Sequence, residues 1–276
     1  MLLSSMLLAG TLSWGSFTTP LEAPVPRPIG SYSNGCIAGA VPLKLESPNY
    51  QVLRPQNKRY YGHPVLISYI NDLAVKMNGD ELAEKRIILV GDMSMPRGGP
   101  FKGGHASHQI GLDVDIWFRM LKDNKRLTKE QLEKPWALTV VNDNLLSVNK
   151  NMDGYAYALL RYAASDDRVE RIFVSPAIKK YACEQTHPDD DRSWLRKIRP
   201  WWGHTAHLHI RLACPPGTPD CEHQAEPPRG DGCGKEVDSW LEGFKHPKPK
   251  PKPNPKPQPK PKKVLPEACQ LMLNAG

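Results

Sequence analysis

Two short stretches, HASHQIGLDVD at positions 105–115 and HTAHLHIRL at 204–212, hold five of the chain's nine histidines. On an extended strand, side chains two apart share a face, so Asp113 and Asp115 point one way, as do His207 and His209. Two such strands meeting in a sheet bring imidazole and carboxylate together, and His108 stands on the loop just before the first strand. Two ring nitrogens and one carboxylate oxygen form a donor set for a divalent metal that leaves a fourth position for water. Such a centre acidifies the water and polarises a carbonyl oxygen, which is the chemistry of hydrolysis. Taken singly, each residue has a bland explanation, since an Asp near glycine satisfies turns and a His is commonly a surface or satisfied core residue. Their grouping into two windows, each beside an apolar alternating strand, is what points to a site.

The elements that must carry these residues are legible as a mixture. PVLISYINDLAVKM, 64–77, has helical spacing with Pro at its start and Asn78-Gly79 behind it. RIILVGDMS, 86–94, reads as a buried strand running into the glycine-rich loop MPRGGPFKGG. LDVDIWF, 112–118, alternates as a strand with one charged face. TKEQLEKPWAL and GYAYALLRYAAS predict a short and a longer helix, VERIFVS, 169–175, a strand, AIKKYACEQ a helix, and HLHIRL, 207–212, a final alternating strand. With no regular strand-helix-strand repeat, the pattern predicts an α+β fold, a single domain around a small, mostly antiparallel sheet.

At 276 residues and 39% hydrophobic, the chain is long enough to bury a real core. Its net charge of +8 suggests a nucleic-acid partner only until the tract HPKPKPKPNPKPQPKPKK, 246–263, is set aside: it contributes seven lysines and no acid, leaving about +1 on the body. The tract is an extended linker of at most about 55 Å, suited to peripheral contact with an anionic wall or membrane. Residues 1–23 read as an export signal, too interrupted to span a bilayer. That places the folded body at 24–245 and a short C-terminal segment at 264–276. Six cysteines in an exported chain, with no C-x-x-C pair, read as up to three disulfides. Cys214 and Cys221 enclose the turn-rich PPGTPD and are the safest local pair. A further expectation is that the C-terminal segment docks back on the body through Cys269 and Cys36. In LRKIRPWW, the charges Arg196, Lys197 and Arg199 read as a solvated face rather than as substrate contacts, and Trp201-Trp202 as core rather than as a cleft wall.

The strings HASHQIGLDVD and WWGHTAHLHIRL, with SWLRKIRPWW ahead of the second, closely resemble the penicillin-insensitive murein endopeptidases of the MepA family, zinc peptidases of the group that includes lysostaphin-type and D-Ala-D-Ala metallopeptidases. The resemblance runs from about Gly35 to Cys233. It implies a zinc ion on His108, Asp115 and His209, with His207 as a catalytic histidine beside the water and His204 assisting. It further implies that His105 and His204 line the same site and bind substrate, orient a ligand or hold a second metal, and that Asp113 orients a histidine from behind. It also implies the disulfides Cys36–Cys269, Cys183–Cys233 and Cys214–Cys221, a periplasmic location, and hydrolysis of D-alanyl-diaminopimelyl cross-links of peptidoglycan with no acyl-enzyme. The absence of an S-x-x-K serine motif is consistent with that. Two alternatives are a D-Ala-D-Ala carboxypeptidase or dipeptidase of the same zinc fold, whose second motif carries Glu where this chain has His, and a non-catalytic wall-binding protein with a structural metal.

Overall fold

The computed structural model describes residues 13–79, 82–122, 125–247 and 263–275. The first half of the expected export signal and residues 248–262 of the Lys/Pro tract lie outside the described residues. In chain order the strands are β1 Arg27–Ser31, β2 Asn34–Ala38, β3 Val41–Pro42, β4 Glu46–Ser47, β5 Tyr50–Val52, β6 Tyr61–Gly62, β7 Arg86–Val90, β8 Asp113–Lys122, β9 Val169–Val174, β10 Ile198–Pro200 and β11 His207–Leu212. The helices are α1 Pro64–Met77, α2 Lys129–Glu133, α3 Gly154–Ala164, α4 Pro176–Gln185, α5 Lys235–Lys245 and α6 Glu267–Asn274.

Seven strands form the central sheet in the order β10-β9-β11-β8-β7-β5-β4. Its middle is antiparallel, with β8 between β7 and β11, while β10 runs parallel to β9 and β5 parallel to β7. Alternation decides which face does what. Val114, Ile116 and Phe118 of β8 and Leu208, Ile210 and Leu212 of β11 turn into the main apolar core, shared with α1 and α3. The opposite face is left for Asp113 and Asp115, and for His207, His209 and Arg211. Helix α1 begins where Pro64 fits the first turn and His63 accepts the Val65 amide, and α3 is capped by Asp153.

Strand β7 stops at Val90, short of the predicted 94. Gly91 follows, lying so close to β8 that a Cβ there would meet the Asp115 Cβ at 3.1 Å. Gly91 donates its amide to Asp115 O (2.7 Å) and Asp115 donates its own to Asp92 O (3.0 Å), after which Met93 bonds to Arg59 O instead.

Three disulfides join Cys36 to Cys269, Cys183 to Cys233 and Cys214 to Cys221. The first ties α6 to β2 within a second apolar cluster that also holds Trp14, Phe17, Met95 and Phe101. Trp14 and Phe17 belong to the stretch expected to be an export signal, yet here they pack on the body.

Candidate metal centre

Register creates the centre. Antiparallel pairing sets His209 opposite Asp115 and Arg211 opposite Asp113, and on the other flank of β11 it sets Phe173 opposite His209. His108 arrives from the loop, held in the left-handed region (φ 68°) by donating its amide to Asp113 Oδ2 at 2.9 Å. His204 is also left-handed, at φ 51°. Two non-glycine residues in a sparsely populated conformation at one site are a mark of function.

Asp115 is the hub. Its Oδ1 lies 3.3 Å from His209 Nδ1, 3.4 Å from His108 Nε2 and 3.8 Å from His207 Nε2, while Oδ2 is 3.6 Å from His105 Nε2. One ligand atom each from His105, His108, Asp115 and His209 falls within 4.8 Å of the others, and this group can hold a metal ion. Both His108 ring nitrogens and Asp115 Oδ1 are buried without a hydrogen-bond partner. Orphaned polar atoms of that kind are costly, and a cation among them removes the cost.

The centre is steered from outside by two carboxylates. Asp113 sits 3.4 Å from His209 Nε2 and is itself gripped by Arg211, Nε to Oδ1 at 2.8 Å and Nη2 to Oδ2 at 3.3 Å. Asp92 sits 3.2 Å from His105 Nε2 and pairs with Arg54 (3.2 Å) and Arg59 (3.0 Å). Sequence reasoning did not single out Asp92. Its only signal was an acid placed just after a continuous apolar strand.

The ionisation states follow from these neighbours. Burial holds His108 and His207 below the usual histidine range, and burial, then the neighbouring His207 and His209, takes His204 down to about 4. His209 behaves oppposite: burial pulls it down, but Asp113 and Asp115 outweigh that and raise it to about 9. Asp115, despite burial, is kept well below the carboxylate range by His108 and His207.

The centre opens into a cleft of about 530 Å³ lined by His105, Phe173, Trp201, Trp202, His204 and His209 among others. A larger cavity of about 930 Å³ lies elsewhere, beside Arg192, Trp194 and Asp231, and is lined by none of the clustered ligands.

Two expectations need correcting. Arg196, Lys197 and Arg199 are not a solvated face: Arg196 donates to Pro227 O and Pro228 O, Lys197 to Asp166 O at 2.8 Å, and Arg199 pairs with Glu236. Carbonyls that need donors have recruited them as ties between segments. Trp201 and Trp202 are not core, being 50% and 60% exposed. They follow the end of β10, where the chain leaves the sheet.

The family model for penicillin-insensitive murein endopeptidase matches residues 28–274, beyond the 35–233 inferred from motifs. The chain is 45% identical to the penicillin-insensitive murein endopeptidase of Pectobacterium atrosepticum, over 99% of this chain and 92% of that one. It is 46% identical to the one from Yersinia enterocolitica, over 86% and 84%, and 44% identical to the one from Escherichia coli O157:H7, over 99% and 95%. A match spanning both histidine windows and all six cysteines places the chain in the penicillin-insensitive murein endopeptidase family.

Proposed function

We infer that this protein is a zinc-dependent DD-endopeptidase that hydrolyses D-alanyl-diaminopimelyl cross-links of peptidoglycan, outside the cytoplasm and in the periplasm. The observation that carries the reading is Asp115 Oδ1, buried without a hydrogen-bond partner among three imidazoles, one of which, His209, lines an open cleft. Three disulfides and no free cysteine among the described residues suit an oxidising compartment.

His108, Asp115 and His209 are the proposed ligands. His105 is near enough by distance, but the two carboxylates beside its Nε2 can only accept, so that nitrogen carries a proton and donates toward Asp92 and Asp115. Asp113 and Asp115 together favour a proton on each nitrogen of His209, and the one on Nδ1 is displaced when a cation is seated in the centre. Its Nε2 keeps a proton and donates it toward Asp113, so in the metal-bound ring the lone pair of Nδ1 faces Asp115 and His108. Nitrogen and carboxylate donors of this kind suit zinc, which when bound supplies an acidified water and a polarised carbonyl.

The remaining residues move the proton. His207, its ring 5.0 Å from that of cleft-lining His204, is a quarter exposed and kept neutral by burial, so it is free to accept. His204 Nδ1 lies 2.8 Å from Trp202 O, an atom that only accepts, so Nδ1 carries the hydrogen and Nε2 of the neutral ring is a second acceptor. The proton gained by this pair returns to the departing diaminopimelyl amine, and in the meantime it donates toward the oxygen that gathers charge. No side chain is acylated, so a serine-acylating β-lactam has no target here.

Purified cross-linked muropeptide dimers and uncross-linked monomers test the reading. Cleavage of dimers to monomers upholds it, removal of terminal D-Ala alone makes the protein a carboxypeptidase, and no cleavage makes it a binding protein.

A further inference from the structure

The aromatic side chains at the cleft mouth hold a surface that the hydrolytic chemistry does not use. Trp201 and Trp202 are each at least half exposed, and both lean on α5. Trp202 meets Trp240 with ring centroids 5.2 Å apart and Phe244 at 5.1 Å, and Trp201 meets Trp240 at 6.4 Å. Trp240 and Phe244, four residues apart, share one face of the helix. Helix α5 is well anchored. The Cys183–Cys233 bridge precedes it, Arg199 pairs with its Glu236, and Val237 and Leu241 are buried. The rings therefore form a fixed ledge, and Trp201 and Trp202 line the same cleft as His204 and His209. Large rings left in water forgo the free energy of burial, and an apolar patch continuous with a reaction cleft marks a ligand surface.

We propose that this ledge is a carbohydrate subsite that seats an N-acetylhexosamine ring of the glycan strand while the attached stem peptide runs to the metal centre, an assignment that rests on the endopeptidase reading. Stem peptides present carboxylates, amines and small methyl groups, and four neutral rings match none of these well. A pyranose whose substituents are equatorial presents a flat face of C–H bonds as broad as an indole. It stacks on an exposed Trp while its hydroxyls stay in water.

The spacing agrees. Phe173 bridges ledge and centre, its ring 5.5 Å from Trp201 and 5.4 Å from His209. Trp201 thus stands within about 11 Å of the His209 ring, inside the roughly 13 Å that the four stem residues up to the scissile D-alanyl carbonyl can span when extended.

The test uses the full zinc-loaded chain on two cross-linked dimers, one bearing its disaccharides and one from which an amidase has removed them. The expected result is a kcat/KM about five- to tenfold higher for the sugar-bearing dimer, carried by KM, with the ratio falling to about one in Trp202→Ala and largely kept in Trp202→Phe. Equal rates on both dimers in the wild type, or an unchanged preference in Trp202→Ala, would overturn the subsite and leave the endopeptidase reading standing. If neither dimer is cut, the endopeptidase reading fails and a titration with the free disaccharide decides the subsite. A saturable shift of tryptophan emission that Trp202→Ala abolishes supports it, and no shift overturns it.

Discussion

Asp113 and His209 are joined across the gap between β8 and β11, Oδ1 to Nε2 at 3.4 Å, and that contact selects which face of the imidazole meets Asp115. Arg211 locks the carboxylate in turn, so a chain of three side chains sets the tautomer at the centre. Asp113→Asn removes the charge that holds this tautomer. Zinc affinity should fall by about 10- to 100-fold, measured by competition with a chromophoric chelator. An affinity within twofold of wild type would show that His209 needs no such support.

The two histidines of β11 should separate metal binding from proton transfer. His209→Ala is expected to lose both zinc and activity, and His207→Ala to keep near-stoichiometric zinc while activity drops by about 10²- to 10⁴-fold. Metal analysis finding equal zinc loss in the two variants would reverse the assignment.

His105 is the residue on which distance and hydrogen bonding disagree. It lies inside the ligand group by distance, but its nitrogen is engaged by Asp92. His105→Ala should therefore retain one zinc per chain under dialysis that strips His209→Ala. Loss of the metal from His105→Ala would make it a fourth ligand.

Lys179 of α4 is fully buried and donates to Leu195 O (2.7 Å) and Asp231 O (2.5 Å). Burial, with the Arg199 guanidinium adding to it, lowers its ammonium from 10.5 to about 7. Between those values the unfolded chain binds more protons at this position than the folded one, so the Lys179 contribution to stability rises as pH climbs from 7 toward 10.5 and is flat below 7. The unfolding midpoint of wild type relative to Lys179→Met should accordingly increase between pH 7 and pH 9 in denaturant titrations. A difference that is constant across that interval would mean the amine stays charged inside the fold.

Much of this was legible from side-chain order alone. The period of two in LDVDIWF and HLHIRL placed Asp113 with Asp115 and His207 with His209, and β8 and β11 carry them that way. The helix at 64–77 was marked at both ends by local punctuation. Strand register was not legible: nothing in either stretch says that Asp115 faces His209 rather than His207. Asp92 was hidden for the same reason, since its partners Arg54, Arg59 and His105 come from loops that only the fold brings together. Trp201 and Trp202 were misjudged because hydrophobicity reports a preference for burial, whereas exposure depends on where β10 ends. Helix α5, with few apolar residues, drew no notice until its aromatic face was seen against them.

The bridge between Cys36 and Cys269 has a temporal consequence. Its partners are 233 residues apart, so a ribosome must deliver nearly everything between them before the clasp can shut. The ring it closes encircles both histidine windows. A fold closed this way is complete only after α6 has been made and the two thiols, one near each end of the chain, have met an oxidant.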